Sequence, residues 1–287
     1  MSMRFLLSLA ALFLAAPLAA RDAPDPAAAE PTAASDADAW CPRGDRDLPR
    51  GPQWNCYGRL NRDYMFAFVY PKSVERDPAL DAEIRSEAGR AESWILAQVV
   101  IAVLEERESS QMSYEAGWDV DAMLPEIAAA SGTISHYTGG AHGGMEYKTI
   151  LIDRREGQAI QLSDLFDLGD FETTAFGYRP WGMRSVQAAM CAALTAEARE
   201  RRSDPAAAIE CPAVERVPIT LVCGANGRID TMRALLNPYV VGSWAEGPYE
   251  IDFPIDAAMI AAMKRRFRPA FGLRDETSAR IPARPCT

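Results

Sequence analysis

The stretch SHYTGGAHGG, residues 135–144, holds both histidines of the chain, His136 and His142, and four of its nineteen glycines. A β-branched and aromatic run (Thr133, Ile134, Tyr137) leads into it, and MEYKTILID follows at 145–153. Two strand-like runs about a Gly-rich connection read as a β-hairpin with a long, sharply bent loop. Glycines gather where backbone must take positive φ or pass close to another group. One reading is a turn that exists for its backbone angles. The other is a presented loop that offers Tyr137, Gly139, Gly140, His142 and Gly143 to a ligand.

The rest of the chain supplies strands and helices around that hairpin. YMFAFVY (64–70) is apolar on both alternating faces, as in a strand covered on both sides. Asp77-Pro78 reads as an N-cap with proline at the first helical position, opening a helix to about Ser109. Within it WILAQVVIAVL (94–104) is apolar nearly all round, which implies deep burial. MSYEAGWDV (112–120) alternates as a half-buried strand. EIAAASGTISHY (126–137) is read as the next, although its alanines suit helix better. After the loop come a strand at 145–153, a turn at 155–157, a short strand at 159–162 and a one-turn helix capped by Ser163. Residues 167–183 read as irregular and aromatic, and 185–202 as an amphipathic helix. Strands are expected at 219–223, 231–236, 239–244 and 249–253, the last two joined as a hairpin through Ala245–Pro248. A final helix, 257–267, is capped by Asp256.

Three of these blocks carry a likeness. YTGGAHGG, then ILIDRREGQAIQLSDLF (150–166), then NPYVVGSWAEGPYEIDFPI (237–255) resemble the extracytoplasmic RsiV/PdaC-type domain, over roughly residues 60–270. That domain occurs in lysozyme-sensing anti-sigma factors, beside polysaccharide deacetylase domains, and in stand-alone secreted proteins. The resemblance implies an α+β fold with an antiparallel sheet and helices packed on one side. A small strand–helix–strand unit (41–125) would join a larger unit carrying the GGAH loop (126–287). Function is implied only weakly, because one fold hosts many functions. The deacetylases do their chemistry in a separate domain with paired histidines. With two histidines and no "Thr-Phe-Asp-Asp-Gly"-like block, that domain is not expected here. Nor are the membrane helix and cytoplasmic segment of the anti-sigma relatives.

Charge narrows the partners. Thirty basic against forty acidic side chains give a formal net charge of −10, which opposes phosphate backbones, so nucleic acid is not an expected partner. A basic protein such as a lysozyme would be steered favourably, and peptidoglycan fragments are the other expected ligand class.

The start of the chain reads as a targeting signal. Arg4 precedes an uninterrupted apolar run, Phe5–Ala16, and Pro17-Leu18-Ala19-Ala20 offers small residues for cleavage after Ala20. The run is short of the ~20 apolar residues a spanning helix needs, so no stable membrane insertion is expected after cleavage. Residues 21–40 form an Ala/Pro/Asp-rich linker. The mature protein is expected in the periplasm or secreted. Six cysteines (Cys41, Cys56, Cys191, Cys211, Cys223, Cys286) agree with export. Six allow fifteen pairings, which sequence does not distinguish. The pairing expected is Cys41–Cys56 at the N-terminal segment, Cys191–Cys211 from helix to loop, and Cys223–Cys286 tying down the tail.

Catalytic motifs are sparse. There is no G-x-S-x-G, H-E-x-x-H, Walker A or G-x-G-x-x-G. No C-x-x-C offers zinc a ligand pair. A metal held by His136 and His142 with Glu146 or Asp153 would need all of them to converge, and no cofactor is expected. A hydrolase acting on envelope polysaccharide would have to use His142 as base with Asp153 or Asp164 as orienting acid. His136, within a strand, reads as a packed residue. The expectation is therefore a non-catalytic binding module, with the hydrolase as alternative.

Overall fold

The computed structural model describes residues 52–106, 111–167, 171–174, 177–202, 209–274 and 286. The expected leader, the linker and Cys41 lie outside these residues. β1 (Trp54–Leu60) and β2 (Tyr64–Pro71) pair as a hairpin. The carboxylate of Asp77 then accepts from the amides of Ala79 and Leu80 (3.1 and 3.0 Å) and starts α1 (Pro78–Leu104). The helix carries the chain back so that β3 (Met112–Met123) lies parallel to β2. β4 (Ile127–Tyr137), β5 (Gly144–Asp153) and β6 (Gln158–Ile160) follow antiparallel and complete a six-stranded sheet in sequence order. The expected antiparallel sheet is thus mixed. A parallel neighbour requires a crossover, and α1 supplies it.

β7 (Phe171–Thr174) and β8 (Gly177–Pro180) form a two-stranded ribbon in the stretch read as irregular, ahead of α2 (Trp181–Arg202). β9 (Ile219–Cys223), β10 (Ile229–Leu236) and β11 (Tyr249–Pro254) make a second sheet with β10 in the middle, and α3 (Ala257–Ala262) follows. The fold is α+β, as expected.

Strand alternation builds two cores on the two faces of the large sheet. From β4, Ala128, Ala130 and Ile134 join the aromatic cluster under α1, with Phe66, Phe68, Tyr114 and Trp118. Ile127 and Ala129 point the other way, into the core shared with the second sheet, α2 and α3. The alanine run that weakens the strand signal here is a thin layer between two cores. The expected division at 125/126 falls in the tight turn between β3 and β4, where the amide of Leu124 donates to the carbonyl of Ile127 at 2.9 Å.

Four expectations are corrected. Residues 94–104 are not deeply buried: only Ile95 and Ala102 turn fully inward, while Val103 and Leu104 are 71% and 77% exposed. A single sheet covers one stripe of a helix, and among the described residues no second layer covers the rest. The segment 239–244 is not a strand, because β10 pairs directly with β11 and 237–248 is the connection between them. α3 stops at Ala262, five residues short of the expected end; from the basic run beyond it Arg268 caps the helix, donating to the carbonyls of Ala261 and Met263 at 2.9 and 2.8 Å, and Arg266 pairs with Asp153 at 2.7 Å. Gln161, not Ser163, caps the turn at Leu162–Leu165.

Cys191 is bonded to Cys211 and Cys223 to Cys286, with Cα separations of 5.6 and 5.7 Å. Cys56 is also disulfide-bonded. Among the described residues no helix is long and apolar enough to cross a membrane.

Candidate binding site

The hairpin of β4 and β5 ends at the pair His136–Gly144, and its loop projects beyond the sheet. Two glycines serve its backbone: Gly139 has φ 93° and Gly140 φ 114°, where L side chains are strained. Two others serve close approach. A Cβ on Gly143 would stand 2.9 Å from the carbonyl oxygen of His136, and one on Gly144 would stand 2.2 Å from its Nε2. The Tyr137 hydroxyl donates to the carbonyl of Gly140 at 3.1 Å and braces the bend.

His142 stands exposed at the tip and meets the β10–β11 connection. Its ring stacks on the indole of Trp244 with centroids 4.7 Å apart, and Tyr239 lies beside both, at 6.4 Å from His142 and 5.9 Å from Trp244. Nδ1 is 2.9 Å from the carbonyl of Gly143, and Nε2 is 3.4 Å from the Tyr239 hydroxyl. The tautomer protonated at Nδ1 satisfies both contacts, donating to Gly143 and accepting from Tyr239.

The second loop is held from several sides. The side-chain oxygen of Asn237 accepts from the amide of Tyr147 on β5 at 2.7 Å. Arg202, at the end of α2, donates to the carbonyl of Val241 at 3.1 Å and pairs with Glu246 at 3.0 Å. Glu246 also accepts from the Tyr249 hydroxyl at 2.7 Å. The hydrogen bonds from Tyr249 and then Arg202 hold its carboxyl below the usual range. Tyr239 takes φ 71°, rare for a side-chain-bearing residue, and is 62% exposed. A side chain held in that conformation by its surroundings is a feature of presented sites.

The other candidate residues fall elsewhere. His136 is half-buried, edge-on to Trp94 at 5.1 Å, as a packed residue would be. Asp153 is fully buried against Arg266 at the far end of β5 from Gly144, about 30 Å along the strand. Asp164 accepts from the amide of Gln161 at 2.8 Å. Neither is in contact with His142, so the base–acid pair a hydrolase would need does not form. Among the described residues no three His, Cys, Asp or Glu side chains are grouped to hold a metal. Sequence reasoning missed Tyr239 and Trp244 as site residues. Their signal was the NPYVVGSWAEGP block, which reads as a strand pair when its tertiary anchors are unknown.

No family model matches the sequence, and no curated protein matches it. Among solved structures the chain is similar to a DUF3298 family protein from Pseudomonas aeruginosa, at 14% identity and a TM-score of 0.47, over 80% of this chain and 99% of that one. It is also similar to a DUF3298 family member from Bacteroides fragilis, at 15% identity and a TM-score of 0.45, over 76% of this chain and 96% of that one.

Proposed function

We propose that this chain is an exported, non-catalytic binding module of the RsiV/PdaC type, acting in the periplasm or outside the cell. Its recognition face is the cluster of His142, Tyr239 and Trp244, and its partner is a basic protein of the lysozyme class. One observation carries the reading: two loops far apart in sequence, both quoted for the family resemblance, meet in ring contact at the surface. Tyr and Trp on a rigid loop supply contact area at low entropic cost. The formal net charge of −10 favours a basic partner. Disulfides of this kind persist in oxidising compartments. A second reading, a peptidoglycan fragment, draws on the partly exposed ring faces of Tyr239 and Trp244, on which a sugar ring can lie.

Calorimetric titration of the purified protein separates the two, with a c-type lysozyme and a chitooligosaccharide as probes. The expected result is saturable lysozyme binding that weakens with salt. It should fall at least about tenfold in Trp244→Ala, as for a buried hot spot. Binding of the oligosaccharide alone would favour the second reading. Binding of neither, or equal binding by Trp244→Ala, would remove this face as the site.

A further inference from the structure

The second half of α1 presents an apolar face that nothing among the described residues covers. From Ser93 to Leu104 the helix carries no charged side chain. Trp94, Leu96, Val100, Ile101, Val103 and Leu104 are all exposed, Val100 at 57% and Leu104 at 77%. The first half differs, with Arg85, Ser86, Gly89 and Arg90 among its exposed positions. Ser93, Ala97, Val100, Ile101 and Leu104 recur at helical spacing, so the apolar side chains form one stripe opposite the buried Ala91, Ile95 and Ala102.

A lone exposed leucine needs no explanation, whereas a contiguous apolar patch marks a contact surface. A standard interface takes about 800 Å² from each partner, and about 65% of a homodimer interface is apolar. Each copy must therefore offer roughly 500 Å² of apolar surface. The exposed parts of these six side chains amount to an area on the order of that size.

Charge decides the direction of the partner. Arg90 and Glu105 bracket the stripe, and their midpoint falls at Ala97–Gln98. A second α1 laid antiparallel about that point sets each Arg90 beside Glu105 of the other copy, twice by symmetry. A parallel one sets arginine on arginine and glutamate on glutamate. The Arg90 side chain pairs with Glu87 at 2.9 Å yet is 58% exposed, so it has donors left to offer. The last turn of α1 contains no basic residue, although a cation is favoured at that negative end. Arg90 of the second copy supplies it. Ala97, at the crossing, is small enough for the two axes to approach closely.

We propose that the apolar face of α1 is a self-association surface, on which a second copy of this chain packs its own α1 antiparallel about Ala97. Each copy covers the stripe of the other, and the two Arg90–Glu105 pairs close the ends. The surface shares no residue with the cluster of His142, Tyr239 and Trp244 and does not depend on the function proposed for it.

Sedimentation velocity on the purified protein, from nanomolar to high micromolar concentration, tests this. The expected result is a monomer–dimer equilibrium. Val100→Glu, which sets a charge on the stripe, should weaken it at least about tenfold. Because that position is exposed, the variant should keep the circular dichroism spectrum of wild type. Arg90→Glu and Glu105→Arg should each weaken association about threefold to tenfold, and the two together should restore it. Trp244→Ala should associate as wild type does. A monomer at every concentration would overturn the inference and leave the face to another protein or to a segment of this chain. So would a dimer indifferent to Val100→Glu, one that the charge exchange does not restore, or one lost in Trp244→Ala.

Discussion

The indole of Trp118 on β3 lies over the backbone of Gly132, its in-register partner on β4, so closely that a Cβ at 132 would stand 2.6 Å from the ring. Trp118 is fully buried in the core under α1 and has no room to withdraw. Gly132→Ala should therefore destabilise by about 1–3 kcal/mol, the usual cost of overpacking. Chemical denaturation measures it. Restoration of stability in the double variant Gly132→Ala with Trp118→Leu, relative to Trp118→Leu alone, identifies the ring as the cause.

Gly140 presents a different case. A Cβ there would meet nothing within 4 Å, but φ is 114°. Gly140→Ala should cost about 1–3 kcal/mol through backbone strain alone. Thermal melts should also show that His142→Ala, which removes an exposed ring, leaves stability unchanged. Equal melts for all three proteins would mean that the loop relaxes freely and is not preorganised.

Asp121 links the two sheets, accepting from the Thr220 hydroxyl at 2.6 Å. Burial is the main cause that pushes its carboxyl up to about 6. Between the unfolded value near 4 and that folded value, the folded state holds a proton the unfolded state lacks. This group therefore adds stability at low pH, and that contribution is lost as pH rises through about 6. Asp121→Asn should be more stable than wild type at pH 7, by about 1–3 kcal/mol, and the gap should close towards pH 4. A gap independent of pH in urea denaturation would show that Asp121 is ionised throughout.

The disulfides close chain segments of unequal length, 20 residues for Cys191–Cys211 and 63 for Cys223–Cys286. On the chain-entropy account they contribute about 3 and about 4 kcal/mol. Calorimetry of the double serine variants should therefore show a larger loss for the pair 223/286. That pair also holds Cys286 against β3, where the amide of Met123 donates to the carbonyl of Cys286 at 2.9 Å. A larger loss from 191/211 would mean that local strain outweighs loop closure.

Much of the architecture was legible before any coordinates. The Asp77-Pro78 start of α1, the apolar stripe of α2 and the hairpin around GGAH are local signals: a capping side chain, a helical period, glycines where φ turns positive. The pairings Cys191–Cys211 and Cys223–Cys286 also stood as expected. Near neighbours in the chain decide the cap, the stripe and the hairpin, so reading along the chain reaches them; the two cysteine pairings, 20 and 63 residues apart, are a choice among fifteen that the tertiary structure makes.

The rest depended on groups remote in the chain. YVVGSW has the composition of a strand, yet the Asn237–Tyr147 bond and the grip of Arg202 on Val241 and Glu246 hold it as a loop. That conformation carries Tyr239 and Trp244 to His142. WILAQVVIAVL has the composition of a buried helix, yet the layer that would bury its outer face is missing among the described residues. Composition and period state what a segment prefers. Whether the preference is met depends on which partners the tertiary structure brings within reach.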